Sequence, residues 1–197
     1  MSGASKALIF EHLRHDVPNP KQIEFFKATA ARIAYGGARG GGKSWAARRK
    51  AVMLCMRYPK LKVLFLRRTM PELRENHIIP LLEELAGYAK YRQDEKTFIF
   101  PNGARLKLGY CDCDRDQLQY QGQENDVIFF EEATNFEVNW IIFISTTLRG
   151  TDLPVEGFKR RIYYTMNPGG TIGLDLLPEE KKFDRQYTDY EAQQRFD

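Results

Sequence analysis

The sequence contains little cysteine, no long apolar run and only a small excess of one charge. Three cysteines in 197 residues, two of them in Cys111-Asp-Cys113, are too few for a disulfide framework, so we expect a reducing compartment. A single Cys-x-Cys pair favours exposed or packed thiols over a metal site. No stretch approaches the ~20 apolar residues of a membrane span, and the amino terminus lacks the apolar core of a secretory signal. The composition is that of a soluble globular domain.

The net charge of +4 is mild, but it is unevenly distributed along the chain. Residues 32–74 contain twelve Lys or Arg and one acid, whereas residues 112–137 contain eight acids and one base. The basic part could bind phosphates or nucleic acid, and the acidic part could hold a divalent cation. A solvated surface explains the same pattern, so charge alone leaves DNA contact open.

The unusual stretch is residues 36–44, GGARGGGKS, which concentrates five glycines in nine positions. From Gly37 it reads G-x-x-x-x-G-K-S, the P-loop pattern. Glycine allows successive N–H groups to turn inward around phosphate oxygens, Lys43 would reach the β- and γ-phosphates, and Ser44 would bind Mg²⁺. The alternative is a flexible turn that happens to contain Lys-Ser. The predicted nucleotide contacts in this loop are Gly37, Ala38, Arg39, Gly40, Gly41, Gly42, Lys43 and Ser44.

Apolar patterning predicts strands that alternate with helices. Predicted helices cover residues 19–30, 44–58, 70–88 with an interruption at Pro80, and 136–150. Predicted strands cover residues 31–35, 62–69, 126–130 and 160–168, and a β-hairpin covers 97–110. Asn19 and Pro20 mark the start of the first helix. This alternation predicts a mostly parallel sheet flanked by helices, with the ligand at the carboxyl ends of the strands.

A second group of polar residues follows the apolar strand at 126–130. The sequence DVIFFEEAT places Glu131 and Glu132 directly after that strand. Because side chains alternate in direction along a strand, the two carboxylates can serve different roles. One can hold the Mg²⁺ shell through water, and the other can orient the attacking water. The alternative is that paired acids merely mark a strand end or a helix N-cap.

These motifs together resemble the ATPase domain of the large terminase subunit of tailed bacteriophages. The resemblance rests on NPKQIEFF, GGARGGGKS, VIFFEEAT and YYTMNPGG, which occur in that order between residues 19 and 170. It implies a RecA-like P-loop ATPase fold with a mostly parallel central sheet and an added β-hairpin. It also implies ATP and Mg²⁺ as cofactors. The second acidic motif here reads EEAT, where the family more often has Asp-Glu.

The resemblance assigns roles to individual residues. Lys43 and Ser44 look like the phosphate and Mg²⁺ contacts, Glu131 like the metal-associated acid, and Glu132 like the catalytic glutamate. Gln22 resembles the adenine-recognising glutamine, although a surface helix glutamine explains it equally well.

The strand that ends in Thr165-Met166-Asn167 provides a further assignment. Thr165 and Asn167 look like the coupling motif that relays hydrolysis to DNA movement. An ordinary Asn-Pro turn is the structural alternative.

The arginine that would stabilise the transition state is left open by the sequence. Arg39 resembles the loop arginine of the family, and Arg149 is a candidate that a neighbouring subunit could insert. Arg67 and Arg68 look more like a structural or DNA-facing pair. Many terminases have Arg-Gly before the acidic strand, whereas this chain has Gln-Gly at residues 121–122.

The domain prediction divides the chain into an N-terminal arm (1–18), an ATPase core (19–170) and a C-terminal segment (171–197). We expect either an isolated ATPase domain or a truncated chain, and we expect no nuclease activity. The resemblance implies a homo-oligomeric ring at the portal of a procapsid in the host cytoplasm. Double-stranded DNA and a small terminase subunit would be partners, and no membrane contact is expected. A helicase-like ATPase and a nucleotide-binding assembly module without turnover are the alternative functions.

Overall fold

The computed structural model describes residues 17–37 and 40–167 of the chain. The helices are α1 (Pro20–Lys27), α2 (Lys43–Arg57), α3 (Met70–Leu73), α4 (Ile79–Glu84), α5 (Asp114–Gln117) and α6 (Val138–Ser145). The strands are β1 (Arg32–Gly36), β2 (Lys62–Arg67), β3 (Lys90–Arg92), β4 (Thr97–Ile99), β5 (Arg105–Tyr110), β6 (Val127–Phe130) and β7 (Arg161–Met166). A π-helical turn, Arg74–Ile78, joins α3 to α4, and 3₁₀ turns cover Leu118–Tyr120 and Ala133–Asn135. Within this part of the chain, no helix has the length and apolarity needed to cross a membrane.

All seven strands form one sheet in the order β1-β7-β6-β2-β5-β4-β3. The first four pairings in that order are parallel, and the last two, β5 with β4 and β4 with β3, are antiparallel. The predicted hairpin is therefore confirmed, and its second strand also belongs to the parallel part. The loops that follow β1, β7, β6 and β2 consequently meet at one edge of the sheet.

Apolar side chains fill both faces of the sheet, as expected for buried parallel strands. Along β2, Val63 and Phe65 pack on one face with α2 and α4, whereas Leu64 and Leu66 pack on the other face with α6. The prediction of helices on both faces of a mostly parallel sheet is confirmed.

Two details differ from the sequence prediction. The helix predicted for residues 136–150 ends at Ser145, because the hydroxyls of Thr146 and Thr147 each donate 2.7 Å hydrogen bonds to backbone carbonyls of the last turn. The Asn125 N–H also donates to the Thr147 carbonyl at 2.8 Å and so draws the chain away from the helix. Strand β3 was not predicted, because three residues at a sheet edge have too little apolar pattern to reveal a strand.

Most of the predicted arm and the predicted C-terminal segment lie outside the described residues. The same holds for Ala38, Arg39 and the end of the predicted last strand. The described part of the predicted core forms one continuous sheet with its covering helices.

Gly109 in β5 allows a buried tyrosine to cross close to the strand. Tyr120 is fully buried and its hydroxyl donates to the Tyr110 carbonyl at 2.7 Å. A Cβ at position 109 would lie 2.4 Å from that hydroxyl oxygen and 3.1 Å from a methyl carbon of Leu66. The glycine is thus required by close packing rather than by an unusual backbone conformation.

We predict that Gly109→Ala lowers the free energy of unfolding by about 1–3 kcal/mol, the usual cost of overpacking a core. Gly36→Ala is the matched control, because it is also a strand glycine and no atom lies within 4 Å of its added Cβ. Urea denaturation measures both. Adding Tyr120→Phe to Gly109→Ala should recover part of the loss, and equal stability of the two alanine variants would contradict the packing argument.

Candidate active site

The carboxyl ends of four parallel strands open into one cavity of about 540 Å³. The loop after β1 forms one side, the acid pair after β6 forms the opposite side, and β7 lies between them. The lining residues are Gly40, Gly41, Gly42, Lys43, Ser44, Arg67, Glu72, Glu131, Glu132, Asn135, Thr165 and Asn167. The structure therefore brings together the described parts of the loop, the acid pair and the polar end of β7.

The loop after β1 places the start of α2 at the cavity. Gly40 and Gly42 have φ values of 77° and 72°, which L side chains rarely adopt, so glycine is required there. Gly42 is the N-cap of α2 and provides no side-chain hydrogen bond to it, and the first-turn N–H groups of a helix point out of its amino end. An anion at this position would meet both these donors and the positive end of the helix dipole.

Lys43 is largely buried at the first position of α2 and donates a 2.7 Å hydrogen bond to the Gly37 carbonyl. Burial lowers the pKa of its ammonium group, and the charges of Glu132 and Glu131 act in the opposite direction. The side chain is therefore folded over its own loop and faces the two acids across the cavity.

Gln22 supports the loop from α1. Its side chain is only 6% exposed, so the interpretation as a surface glutamine is wrong. Its Oε1 accepts from the Asn19 N–H at 2.9 Å in a capping box, and its Nε2 donates to the Gly42 carbonyl at 3.3 Å. The role in adenine recognition remains a prediction.

Glu131 follows β6 and is 1% exposed. Burial raises its pKa, but hydrogen bonding and charge from His77, the charge of Arg67 and a hydrogen bond with Ser44 outweigh that effect and bring the pKa to about 2. His77 Nε2 lies 2.9 Å from Glu131 Oε2, and Arg67 Nη1 donates to the same oxygen. The carboxylate is therefore held ionised inside the fold.

Glu132 has φ 52° and ψ 54°, a left-handed conformation that is uncommon for a residue with a side chain. Its backbone N–H donates to Thr165 Oγ1 at 3.0 Å, so the end of β7 holds this turn. Its Oε2 accepts from Asn135 Nδ2 at 2.9 Å and pairs with Arg67 Nη2 at 3.0 Å. With 27% of its side chain exposed, Glu132 is the acid of the pair that can reach solvent in the cavity.

The oxygen donors at the cavity fit a magnesium ion. Glu131 Oε1 is buried, and no described group donates a well-aligned hydrogen bond to it. The hydroxyl of Ser44 and this carboxylate oxygen are the kinds of ligand that Mg²⁺ accepts, directly or through water. Across residues 17–37 and 40–167, no group of three or more His, Cys, Asp or Glu side chains could hold a metal ion. An ion here would therefore depend on phosphate oxygens and water for most of its shell.

The arginines lie in three different places. Arg67 is 6% exposed and contacts both acids of the pair as well as Glu72, with Nε 3.3 Å from Glu72 Oε2. Arg68 lies outside the cavity, over the ring of Trp140 and 3.3 Å from Asp112. For Arg67 the structure supports the structural alternative over the DNA-facing one, because its guanidinium is buried among carboxylates.

Arg149 does not lie in the cavity of its own chain. Asn125, just before β6 begins, is hydrogen bonded to Thr147 through its N–H at 2.8 Å and through Nδ2 at 3.0 Å. Arg149 follows closely and is exposed at the amino edge of the sheet, whereas the cavity is at the carboxyl edge. The role as a finger within one subunit is therefore excluded for Arg149, and Arg39 lies outside the described residues.

Sequence reasoning did not identify His77 and Asn135 as site residues, and it did not predict that Arg67 contacts both acids of the pair. His77 is a single histidine within a helical stretch, and no local pattern links it to an acid more than fifty positions away. Arg67 did have a signal, since it ends an apolar strand that could pair beside the acid-bearing strand. Without the strand order, that signal could not be distinguished from an exposed arginine.

Comparison with known proteins agrees with this architecture. The sequence model of the family described as terminase large subunit, T4likevirus-type, N-terminal, matches residues 34–151. No curated protein sequence matches the chain significantly. The large terminase of a thermophilic bacteriophage, also solved with ADP and with ATP-gamma-S, is 20% identical with a TM-score of 0.67 and covers 86% of this chain. This chain covers 44% of that protein, less than half of its length.

Two further solved structures share the fold. The ATPase domain of the Thermus phage P74-26 large terminase is 17% identical, with a TM-score of 0.60 and coverage of 81% of this chain and 69% of that domain. The N-terminal domain of the DNA packaging ATPase from bacteriophage phi29 is 18% identical, with a TM-score of 0.52 and coverage of 84% and 89%. At these identities the structures show a common fold, and the family match identifies the sequence. The chain belongs to the family of large terminase subunits of the T4likevirus type and contains its N-terminal region.

Proposed function

We propose that this chain is the Mg²⁺-dependent ATPase motor domain of a viral DNA-packaging terminase. The observation that supports it most strongly is the convergence of the P-loop residues, the acid pair and the polar end of β7 on one cavity. Family membership is consistent with this function, and the large terminase of the thermophilic bacteriophage has been solved with ADP and with ATP-gamma-S. The reaction would transfer the terminal phosphoryl group of ATP to water.

The loop after β1 would bind the triphosphate. Lys43 would exchange its hydrogen bond to the Gly37 carbonyl for the β- and γ-phosphate oxygens, and its position opposite Glu131 and Glu132 helps to keep it charged. The first-turn N–H groups of α2 would donate to the same phosphates. Ala38 and Arg39 would complete the loop, and Gln22 would contact adenine if its amide can serve the base as well as the loop.

Ser44 and Glu131 would hold the Mg²⁺ ion. When bound, the ion would supply positive charge that stabilises the charge developing on the transferred phosphoryl group. Glu131 fits this role because it is ionised and buried, and its Oε1 has no well-aligned donor among the described residues.

Glu132 would orient the attacking water and accept its proton. Its partial exposure and its contacts with Asn135 and Arg67 place the carboxylate at the cavity. Thr165 and Asn167 line the same cavity, and Thr165 is bonded to the Glu132 backbone. A change at the γ-phosphate could thus be transmitted through β7, the role proposed for this pair as the coupling motif.

The working assembly would be a ring on the portal at the procapsid in the host cell, with double-stranded DNA as the load and a small terminase subunit as partner. The exposed position of Arg149 is compatible with contact to a neighbouring subunit, and Arg39 remains the candidate within the loop. We propose no nuclease activity, since no group of acids in residues 17–37 and 40–167 could hold the metal ions of a two-metal site.

We predict that Glu132→Gln binds ATP and loses ATP hydrolysis by roughly 10²–10⁴-fold, the usual contribution of a general base. Mg²⁺-dependent phosphate release measures turnover, and a fluorescent ATP analogue measures binding. Glu83→Gln, at an exposed position outside the cavity, is the control and should retain wild-type turnover. Wild-type turnover in Glu132→Gln would refute the assignment, and ATP binding without hydrolysis in the wild type would favour the assembly-module function.

We predict that Arg149→Ala lowers turnover and that mixing it with Glu132→Gln partly restores activity. A site where an Arg149→Ala subunit meets a Glu132→Gln neighbour would then combine an intact Glu132 with an intact arginine, because Arg149 lies outside its own cavity. Phosphate release at several protein concentrations measures this. A mixture of Glu132→Gln with Lys43→Ala should stay inactive, since each variant lacks a residue of its own site. Unchanged turnover in Arg149→Ala would exclude the residue as a finger.

We predict that the purified chain releases no new ends from plasmid DNA with Mg²⁺ or Mn²⁺. Gel electrophoresis of supercoiled plasmid measures this, with a restriction enzyme as the positive control. Cleavage that persists after a further purification step would contradict the prediction.

A further inference from the structure

His77 is fully buried beneath the candidate active site and belongs to none of the motifs that the sequence reveals. It lies in the π-helical turn between α3 and α4, and its ring packs on Phe65 of β2 with a centroid distance of 4.6 Å. Its Nε2 is 2.9 Å from Glu131 Oε2, and its Nδ1 is buried without a hydrogen-bond partner among the described residues. The ring therefore has one polar contact, which is directed at the metal-associated acid.

The backbone around His77 is shaped by Pro80. Proline has no N–H, so the Asn76 carbonyl lacks its normal helical donor. The Ile79 N–H reaches back to the Arg74 carbonyl, which gives the wider π turn. Arg48 of α2 donates to the Asn76 carbonyl at 2.8 Å and replaces the missing bond.

The same arginine links the turn to the phosphate-binding helix. Arg48 Nε and Nη2 lie 3.2 and 3.0 Å from Glu84 Oε1, so α2 contacts α4 as well as the turn. His77 is consequently fixed on a segment that is tied to the helix following the P-loop. The position of His77 is therefore fixed both by the backbone of its own turn and by contacts with a distant helix.

The contact between His77 and Glu131 has a defined direction. An ionised carboxylate can only accept hydrogen bonds, so Nε2 must carry the hydrogen and donate. Arg67 donates to the same oxygen, Oε2, which is thereby occupied on two sides. Oε1 has no well-aligned donor among the described residues and is the oxygen that remains for the metal shell.

We infer that His77 is a positioning residue that fixes the Glu131 carboxylate so that Oε1 faces the Mg²⁺ shell. This inference rests on the proposed function. Arg67 cannot do this alone, because its guanidinium is shared among Glu131, Glu132 and Glu72. The charge of Glu131 is balanced by the arginine, and its orientation is set by the histidine.

Three substitutions at position 77 separate this role from simple packing. His77→Gln retains an N–H donor near the position of Nε2, His77→Asn places its donor near Nδ1, and His77→Leu has none. The measurement is the affinity for a fluorescent, non-hydrolysable ATP analogue with saturating Mg²⁺ and again with EDTA. The ratio of the two affinities reports the contribution of the metal, without any need for turnover.

We expect the Mg²⁺-dependent gain in affinity to fall roughly 10–100-fold in His77→Leu and His77→Asn, the usual effect of losing a partner of a metal ligand. His77→Gln should stay within about threefold of the wild type on the same scale. The affinity in EDTA should change little in all three, because His77 does not line the cavity. Leu81→Ala, a buried residue of α4, controls for loss of stability and should leave the ratio unchanged.

The outcomes distinguish this inference from the proposed function. If the wild type binds the analogue with a Mg²⁺-dependent gain and His77→Leu keeps that gain while folded, the inference is overturned. It is also overturned if His77→Asn keeps the Mg²⁺-dependent gain in affinity as fully as His77→Gln does, since the position of the N–H donor would then not matter. If His77→Leu does not fold, the comparison of Gln with Asn decides. If the wild type binds no nucleotide, or binds as well when Lys43→Ala is introduced, the proposed function itself fails.

Discussion

Two adjacent carboxylates at the end of a buried strand need compensating charge, and the rest of the site depends on how that charge is supplied. Glu131 cannot be solvated by bulk water, so Arg67 and His77 must reach it through the fold. The arginine comes from β2, the neighbour of β6 in the sheet. The pairing of these two strands is therefore a requirement of the acid pair as well as of the hydrophobic core.

The strand order gives the site its third component. Because β7 lies between β1 and β6, its polar end falls between the phosphate-binding loop and the acids. The bond from the Glu132 N–H to Thr165 at 3.0 Å also supports the left-handed backbone of Glu132. One hydroxyl thus supports a strained residue and connects the ends of β6 and β7 at the cavity.

Much of this could be predicted from the sequence, for identifiable reasons. The residues of the P-loop follow one another directly in the chain, and so do the two acids, so each group is visible as a short sequence motif. The long apolar strands indicate the parallel sheet. His77 could not be predicted, because its partner is distant in sequence and the π turn that orients it depends on Arg48 of another helix. Arg149 shows a different limit: its sequence context makes it a candidate arginine, but only the packing of the chain places it at the amino edge of the sheet, away from the cavity of its own subunit.

The sequence by itself determined which chemical groups are present and the local elements that carry them: glycines at the positions with positive φ, a lysine and serine at a helix start, and two acids after an apolar strand. Only the tertiary structure decided which strands are neighbours, which face each helix covers and which distant side chains enter the cavity. The reason is physical. Local backbone preferences act over a few residues, whereas the burial of Glu131 and its contacts with Arg67 and His77 exist only after strands and helices from separate parts of the chain have packed.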